Sequence, residues 1–117
     1  MDMVANLSGR QKAIVALTVA TALIHIVLGI MSGGTFMIIF LLNGIGYLAL
    51  LAALFFLPQF AGQRRMVRWA LLAFTAVTFI LYFAFNWPDV WSPLGIVDKV
   101  IELILIVLLW QEAQEGG

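Results

Sequence analysis

The chain has 117 residues, 64% of them hydrophobic and 10% charged, with six basic and six acidic side chains that cancel formally. A soluble domain carries about 25% charged residues, so there is too little polar surface here to cover a water-soluble globule, and lipid is the expected solvent. Zero net charge gives no footing for nucleic-acid binding. The absence of cysteine excludes disulfides, thiolate metal centres, thiol nucleophiles and Cys-linked haem, and a single histidine excludes a multi-His metal site within one chain.

The chain opens with a mixed polar stretch, residues 1–10. Ser8 followed by Gln11 fits a capping box. The first apolar segment then runs from about Lys12 to Met31. About 20 residues at 1.5 Å each cross a hydrocarbon core of about 30 Å. The run is too long for a cleaved signal, so it is read as retained. Ser32-Gly33-Gly34-Thr35 reads as a tight turn. Phe36 to Leu57 is the second span, ended by Pro58. A basic loop follows, with Arg64 and Arg65, and Arg68 lies one turn further on. Val67 to Phe85 is the core of the third span. Residues 86–91, Asn-Trp-Pro-Asp-Val-Trp, form the next turn. Ser92 suits an N-cap and Pro93 a first helical position. The fourth helix continues to about Gln111, and its polar tail is expected to fray. The expected helices are 9–31, 36–57, 65–86 and 93–111, in one domain.

Arg10 and Lys12 precede the first helix, and Arg64, Arg65 and Arg68 fall between the second and third. The other two turns hold no basic residue. The positive-inside rule then puts both termini and the 58–66 loop in the cytoplasm. Trp69 and Trp110 fall at the inner interface and Trp87 and Trp91 at the outer one, as an aromatic belt requires. Short connections make neighbouring helices antiparallel. The expected fold is an all-α, up-down-up-down four-helix bundle integral to a membrane.

Inside that bundle the fourth segment stands out, because Asp98, Lys99 and Glu102 interrupt its apolar run. Ionisable groups in a bilayer need partners, water or a purpose. Counted from Pro93, Asp98 lies ~8 Å deep and Glu102 ~14 Å, near the midplane. Lys99 is expected to snorkel to the outer headgroups as an interfacial anchor, with the four tryptophans. Gly95, Asp98, Glu102 and Leu109 share a face, so both carboxylates point into the bundle. Thr18, Ala22, His25 and Gly29 form a stripe on the first helix. Asn43 and Tyr47 lie one turn apart on the second, and Thr75, Thr78, Tyr82 and Asn86 run along the third. An internal polar network of His25, Asn43, Tyr47, Tyr82, Asp98 and Glu102 follows from depth and helical phase. The plainer reading makes His25 and Asn43 helix-to-helix hydrogen-bonding groups. Gly44, Gly46, Ala49 and Ala53 are expected to permit close backbone approach.

Three stretches, 25–29 (His-Ile-Val-Leu-Gly), 40–48 (Phe-Leu-Leu-Asn-Gly-Ile-Gly-Tyr-Leu) and 95–102 (Gly-Ile-Val-Asp-Lys-Val-Ile-Glu), together resemble a set of small four-span membrane proteins of bacteria and archaea without an assigned activity. The resemblance covers most of the chain. It implies a prokaryotic cytoplasmic membrane and carries no site residue over.

For function, the leading expectation is a non-enzymatic membrane module, partnered by lipids: an accessory or structural subunit of a larger membrane complex, or a homo-oligomer. The alternative is proton or cation conduction or transport through the Asp98, Glu102 and His25 cluster. A third reading gives His25 a role toward a cofactor, as a haem ligand or a hydrogen-bond partner of a quinone. No catalytic residue and no metal ligand set is expected, since no phosphate-cradling motif and no Ser–His pairing is present.

Overall fold

The structure is a computed structural model and describes residues 7–88 and 90–115. The expected polar lead over residues 1–6, Asp89 of the second turn and the last two glycines lie outside the described residues. Those described are mostly helical, with no strand among them, and form four long helices in an elongated body of 41 × 24 × 20 Å.

Helix α1 covers Gly9–Ser32. Ser8 Oγ accepts from the Gln11 amide, and the Gln11 side chain accepts in return from the Ser8 amide, which completes the capping box. The turn into α2, Gly34–Leu51, is tighter than the sequence suggests. Gly33 is its one non-helical residue, with φ 69°, and Gly34 follows at φ 60°. Both sit where a side chain would be strained.

α2 passes into a π-helical turn, Ala52–Phe56, and then a 3-10 turn, Pro58–Gln63. Leu57 N–H bonds back five residues to the Ala52 carbonyl. Pro58 has no N–H to offer Leu54. The Leu54 carbonyl accepts instead from Arg64 Nε at 3.1 Å, so the first residue of α3, Arg64–Asn86, secures the end of the preceding element. Helix α4 spans Pro93–Gln114, with Ser92 Oγ accepting from the Gly95 amide and Pro93 in the first turn. It runs three residues past the expected end at Gln111. Arg10 is the reason: its guanidinium bonds Glu112 at 2.6 Å and Glu115 through both terminal nitrogens, and Gln11 adds a bond to Glu112 at 3.1 Å. The Arg10 guanidinium holds the Glu115 carboxyl below the usual carboxylate range, which keeps the tie charged at neutral pH.

Contacts between helices run in reverse chain order. Gly29 meets Phe40 and Gly44 meets Ala22 across α1 and α2, while Asn43 bonds Thr78 across α2 and α3. Arg10 pairs with Glu112, and Thr21 with Asp98, across α1 and α4. An apolar layer of Ile14, Leu51, Leu54, Leu71, Leu105 and Leu109 fills the half of the bundle nearer Arg10 and Glu115.

The burial pattern is inverted relative to a soluble protein. Thr18, Thr21, His25, Arg68, Thr75, Asp98, Lys99 and Glu102 are buried, whereas Ile30, Phe36, Leu42, Ile45, Ile80, Phe85, Val97, Val100, Leu103 and Val107 are exposed. The four tryptophans, Trp69, Trp87, Trp91 and Trp110, are exposed too. α1, Gly34–Phe56 and Pro58–Asn86 are each long and apolar enough to cross a membrane. α4 has the length, and its run is interrupted by Asp98, Lys99 and Glu102.

Glycine sets the closest approach of α1 to α2. A methyl on Gly44 would sit 2.7 Å from Ile26 Cγ1 and 2.8 Å from the Ala22 carbonyl oxygen. Gly44→Ala is therefore expected to lower stability by about 1–3 kcal/mol despite the better helix propensity of alanine. Gly9→Ala, which meets nothing within 4 Å, should not. Thermal unfolding in mild detergent measures both.

Candidate functional site

Five side chains on two helices meet between the apolar layer and the Gly33 end. α4 places Asp98 and Glu102 on one face, four residues apart, and Lys99 beside them. α1 places His25 and Thr21 opposite, also four apart. All five are buried, and Glu102 is 0% exposed. From α2, the Tyr47 hydroxyl donates to Glu102 Oε2 at 2.8 Å.

Lys99 departs from expectation. Rather than extending outward, it is 5% exposed, with Nζ 2.5 Å from Glu102 Oε1 and 3.2 Å from Asp98 Oδ2. Its ammonium also lies 4.7 Å from the centre of the Tyr82 ring. The physical reason is reach. A Lys stem that can extend toward the helix start can equally turn to a carboxylate three residues on. Two carboxylates and an aromatic face offset its loss of water.

Thr21, which the sequence reading passes over, links the two carboxylates. Its hydroxyl lies 2.5 Å from Asp98 Oδ1 and 3.2 Å from Glu102 Oε2. The available signal was its place four residues before His25, on the same helical face. Thr18 and Thr75 play no such part, because their hydroxyls bond back to the Ile14 and Leu71 carbonyls of their own helices.

The hydrogen bonds of His25 fix its tautomer. Nδ1 lies 2.8 Å from the Thr21 carbonyl oxygen. A carbonyl only accepts, so Nδ1 carries a hydrogen. The second nitrogen, Nε2, faces Asp98 Oδ2 at 3.7 Å and Glu102 Oε2 at 3.9 Å. The ring is held edge-on to Phe40 and beside Tyr47. Nδ1 is thus committed to α1, while Nε2 faces the two carboxylates.

The remaining expected residues stand at the rim. Asn43 Nδ2 donates to Thr78 Oγ1 at 2.9 Å, and its Oδ1 is buried with no hydrogen-bond partner among the described residues. The Tyr82 hydroxyl donates to the Val90 carbonyl at 2.7 Å, so Tyr82 joins the cluster through its ring alone.

The charge count is informative. Lys99 brings one positive charge, and Asp98 and Glu102 bring two negative. One further positive charge makes the cluster neutral, and the facing atoms say where a proton would go: on Nε2, or on a carboxyl oxygen beside Thr21. The Thr21 hydroxyl has one hydrogen for two carboxylates, so a protonated carboxyl would complete its second bond. His25, Asp98 and Glu102 each offer an atom within 4.8 Å of the others, a spacing that a metal ion can bridge. The Lys99 ammonium already supplies a cation to both carboxylates, which makes the group an ion-pair cluster rather than an open ligand set.

Above the cluster a cavity of about 560 Å³ opens toward the Gly33 end, with His25, Asp98 and Lys99 among its lining residues. Below it the apolar layer closes the bundle.

Thr18 and Thr21 are both fully buried, but only the Thr21 hydroxyl reaches the carboxylates. Thr21→Val should cost about 1–3 kcal/mol, the price of leaving a buried acceptor without its donor. Thr18→Val should change stability by about 0.5 kcal/mol or less. Equal losses in a denaturation series in nanodiscs would show that the link carries no weight.

Compared with protein-family models, with characterised proteins and with solved structures, the chain matches none.

Proposed function

We propose that the chain is an integral protein of a prokaryotic cytoplasmic membrane, an up-down-up-down bundle with both termini in the cytoplasm, and that it binds and releases one proton at the His25–Asp98–Glu102 cluster from the outer side. The supporting observation is that His25 Nε2 faces two carboxylates which share a single cation, Lys99. An uncompensated charge near the bilayer centre costs about 2.5–3.5 kcal/mol even on the lenient insertion scale. A proton removes that cost. Membrane integration is supported by the inverted burial pattern, with an apolar exterior on all four helices and the ionisable groups inside. Exposed apolar surface on this scale is foreign to soluble monomers.

The geometry favours a carrier over a channel. The cluster is open through the cavity at one end and closed by Ile14, Leu51, Leu54, Leu71, Leu105 and Leu109 at the other. A site near the midplane that faces one side is the arrangement on which alternating access operates. The cluster draws all its side chains from one chain, so a subunit or homo-oligomer role would be added to this site rather than needed to build it.

Two measurements test the reading. Ser32→Cys should react with an impermeant thiol reagent from outside, and Gln63→Cys only from inside; reversed accessibility overturns the topology. Infrared titration in nanodiscs over about pH 4–10 should show one exchanging carboxyl or imidazole proton. Glu102→Gln keeps the shape and removes one charge, so it should fold and lose that signal. An unchanged signal in the variant, or none in the parent, overturns the proton site.

A further inference from the structure

We infer that the cavity above the cluster binds a lipophilic organic ammonium ion, which takes the place of the labile proton; this rests on the proton-binding reading above. Size comes first. About 560 Å³ lies within the range of sites that enclose a small organic molecule. The walls are largely apolar and aromatic, with Leu28, Phe36, Phe40, Leu81 and Phe85 among them. That lining takes an apolar body, and aromatic faces also attract a cation.

The polar floor decides the sign of the charge. Its polar lining includes His25 from α1, Asn43 from α2, Tyr82 from α3, and Asp98 and Lys99 from α4, with Glu102 joined to it through its bond to Lys99. Lys99 is already offset by two carboxylates, so an anionic head would find no spare positive charge. Without its proton the cluster is one negative charge in excess, and a monocation restores neutrality. Asn43 supplies the direction. Its Oδ1 is buried without a donor among the described residues, and the residue lines the same cavity as Asp98. An N–H-bearing ammonium satisfies both. A second hollow of about 550 Å³, along the α2–α3 seam, shares Asn43, Thr78 and Leu81 with the first, and gives a longer apolar body somewhere to extend.

The exchange is balanced: the protonated chain and one ammonium ion yield the ammonium complex and one free proton. No bond other than that to the proton breaks.

The test uses the full chain in nanodiscs, with empty nanodiscs as reference, and naphthylmethylammonium as probe. Calorimetry in two buffers of different ionisation heat should report about one proton released per ammonium bound. Over the pH range of that release, affinity should rise about tenfold per pH unit, as one-for-one competition requires. Naphthylmethanol and naphthoate should bind at least tenfold more weakly. Asn43→Leu should weaken the ammonium by about tenfold or more, the loss expected for a hydrogen bond to a charged donor. Asp98→Asn should remove both binding and proton release. Equal binding of the alcohol or the carboxylate, or ammonium binding without proton release, overturns the inference. No ammonium binding while the infrared proton signal persists overturns the inference alone; ammonium binding with that signal absent overturns the proton reading as well.

Discussion

The constraint on which this structure depends is the neutrality of an ionised cluster held away from water. Three ionisable side chains lie within five residues of α4, and each is buried. Isolated charges in such a place would be prohibitive, and paired ones are tolerable only with good geometry and filled hydrogen bonds. α4 cannot meet those demands by itself. Thr21 and His25 from α1 and Tyr47 from α2 supply the donors, and Tyr82 from α3 supplies an aromatic face for the ammonium. The bundle is therefore specified by the needs of one helix, since each of the other three brings a group that α4 lacks.

The same demand accounts for uneven packing around the ring of helices. α1 and α2 are drawn close by Gly29 and Gly44, where a methyl would collide with the neighbouring backbone. α1 and α4 are tied at two levels, by the cluster and by the Arg10 fork on Glu112 and Glu115. Between α2 and α3, by contrast, the polar link is a single amide-to-hydroxyl bond, Asn43 to Thr78. The cavity and the seam hollow both lie along that weaker contact. From that seam the cavity reaches the cluster itself, where His25, Asp98 and Lys99 line it.

Much of this was legible in the chain. Apolar run lengths locate all four helices, and Ser8–Gln11 and Ser92–Pro93 mark two of the starts, because capping is chemistry local to a few residues. Phase alone put Asp98 and Glu102 on one face. The ends set by distant partners were not legible: α4 reaches Gln114 because Arg10, a hundred residues away in sequence, holds its last turn. The π-helical turn at Ala52–Phe56 depends on Arg64, ten residues beyond Leu54, donating to the carbonyl that Pro58 cannot serve as donor for. In the site, depth along α4 suggested a snorkelling Lys99, and depth was the wrong variable. The choice between headgroup and carboxylate is made by what lies within reach of the ammonium, and that is known only once Tyr82 and Glu102 are placed. Thr21 escaped notice because a threonine on an apolar helix usually bonds back to its own turn, as Thr18 does.

Lys99 then has a meaning beyond compensation. With two carboxylates and no lysine, the site would carry two negative charges, and its neutral form would need two protons or a divalent ion. With the lysine paired to both, one charge remains to be matched. On the proton-binding proposal, the residue reduces a site of variable stoichiometry to one of single-charge exchange. The position of the ammonium also matters. It bonds Glu102 Oε1 and Asp98 Oδ2, while Oδ1 and Oε2 are left to Thr21, Tyr47 and the facing imidazole. Each carboxylate thus gives one oxygen to the ammonium and the other to a hydroxyl, while the imidazole faces the ammonium-bound oxygen of Asp98 and the other oxygen of Glu102. On the proton-binding proposal, a proton shared between Nε2 and Glu102 Oε2 can leave without breaking either bond to the Lys99 ammonium, so the ion pair that holds α4 in place stays.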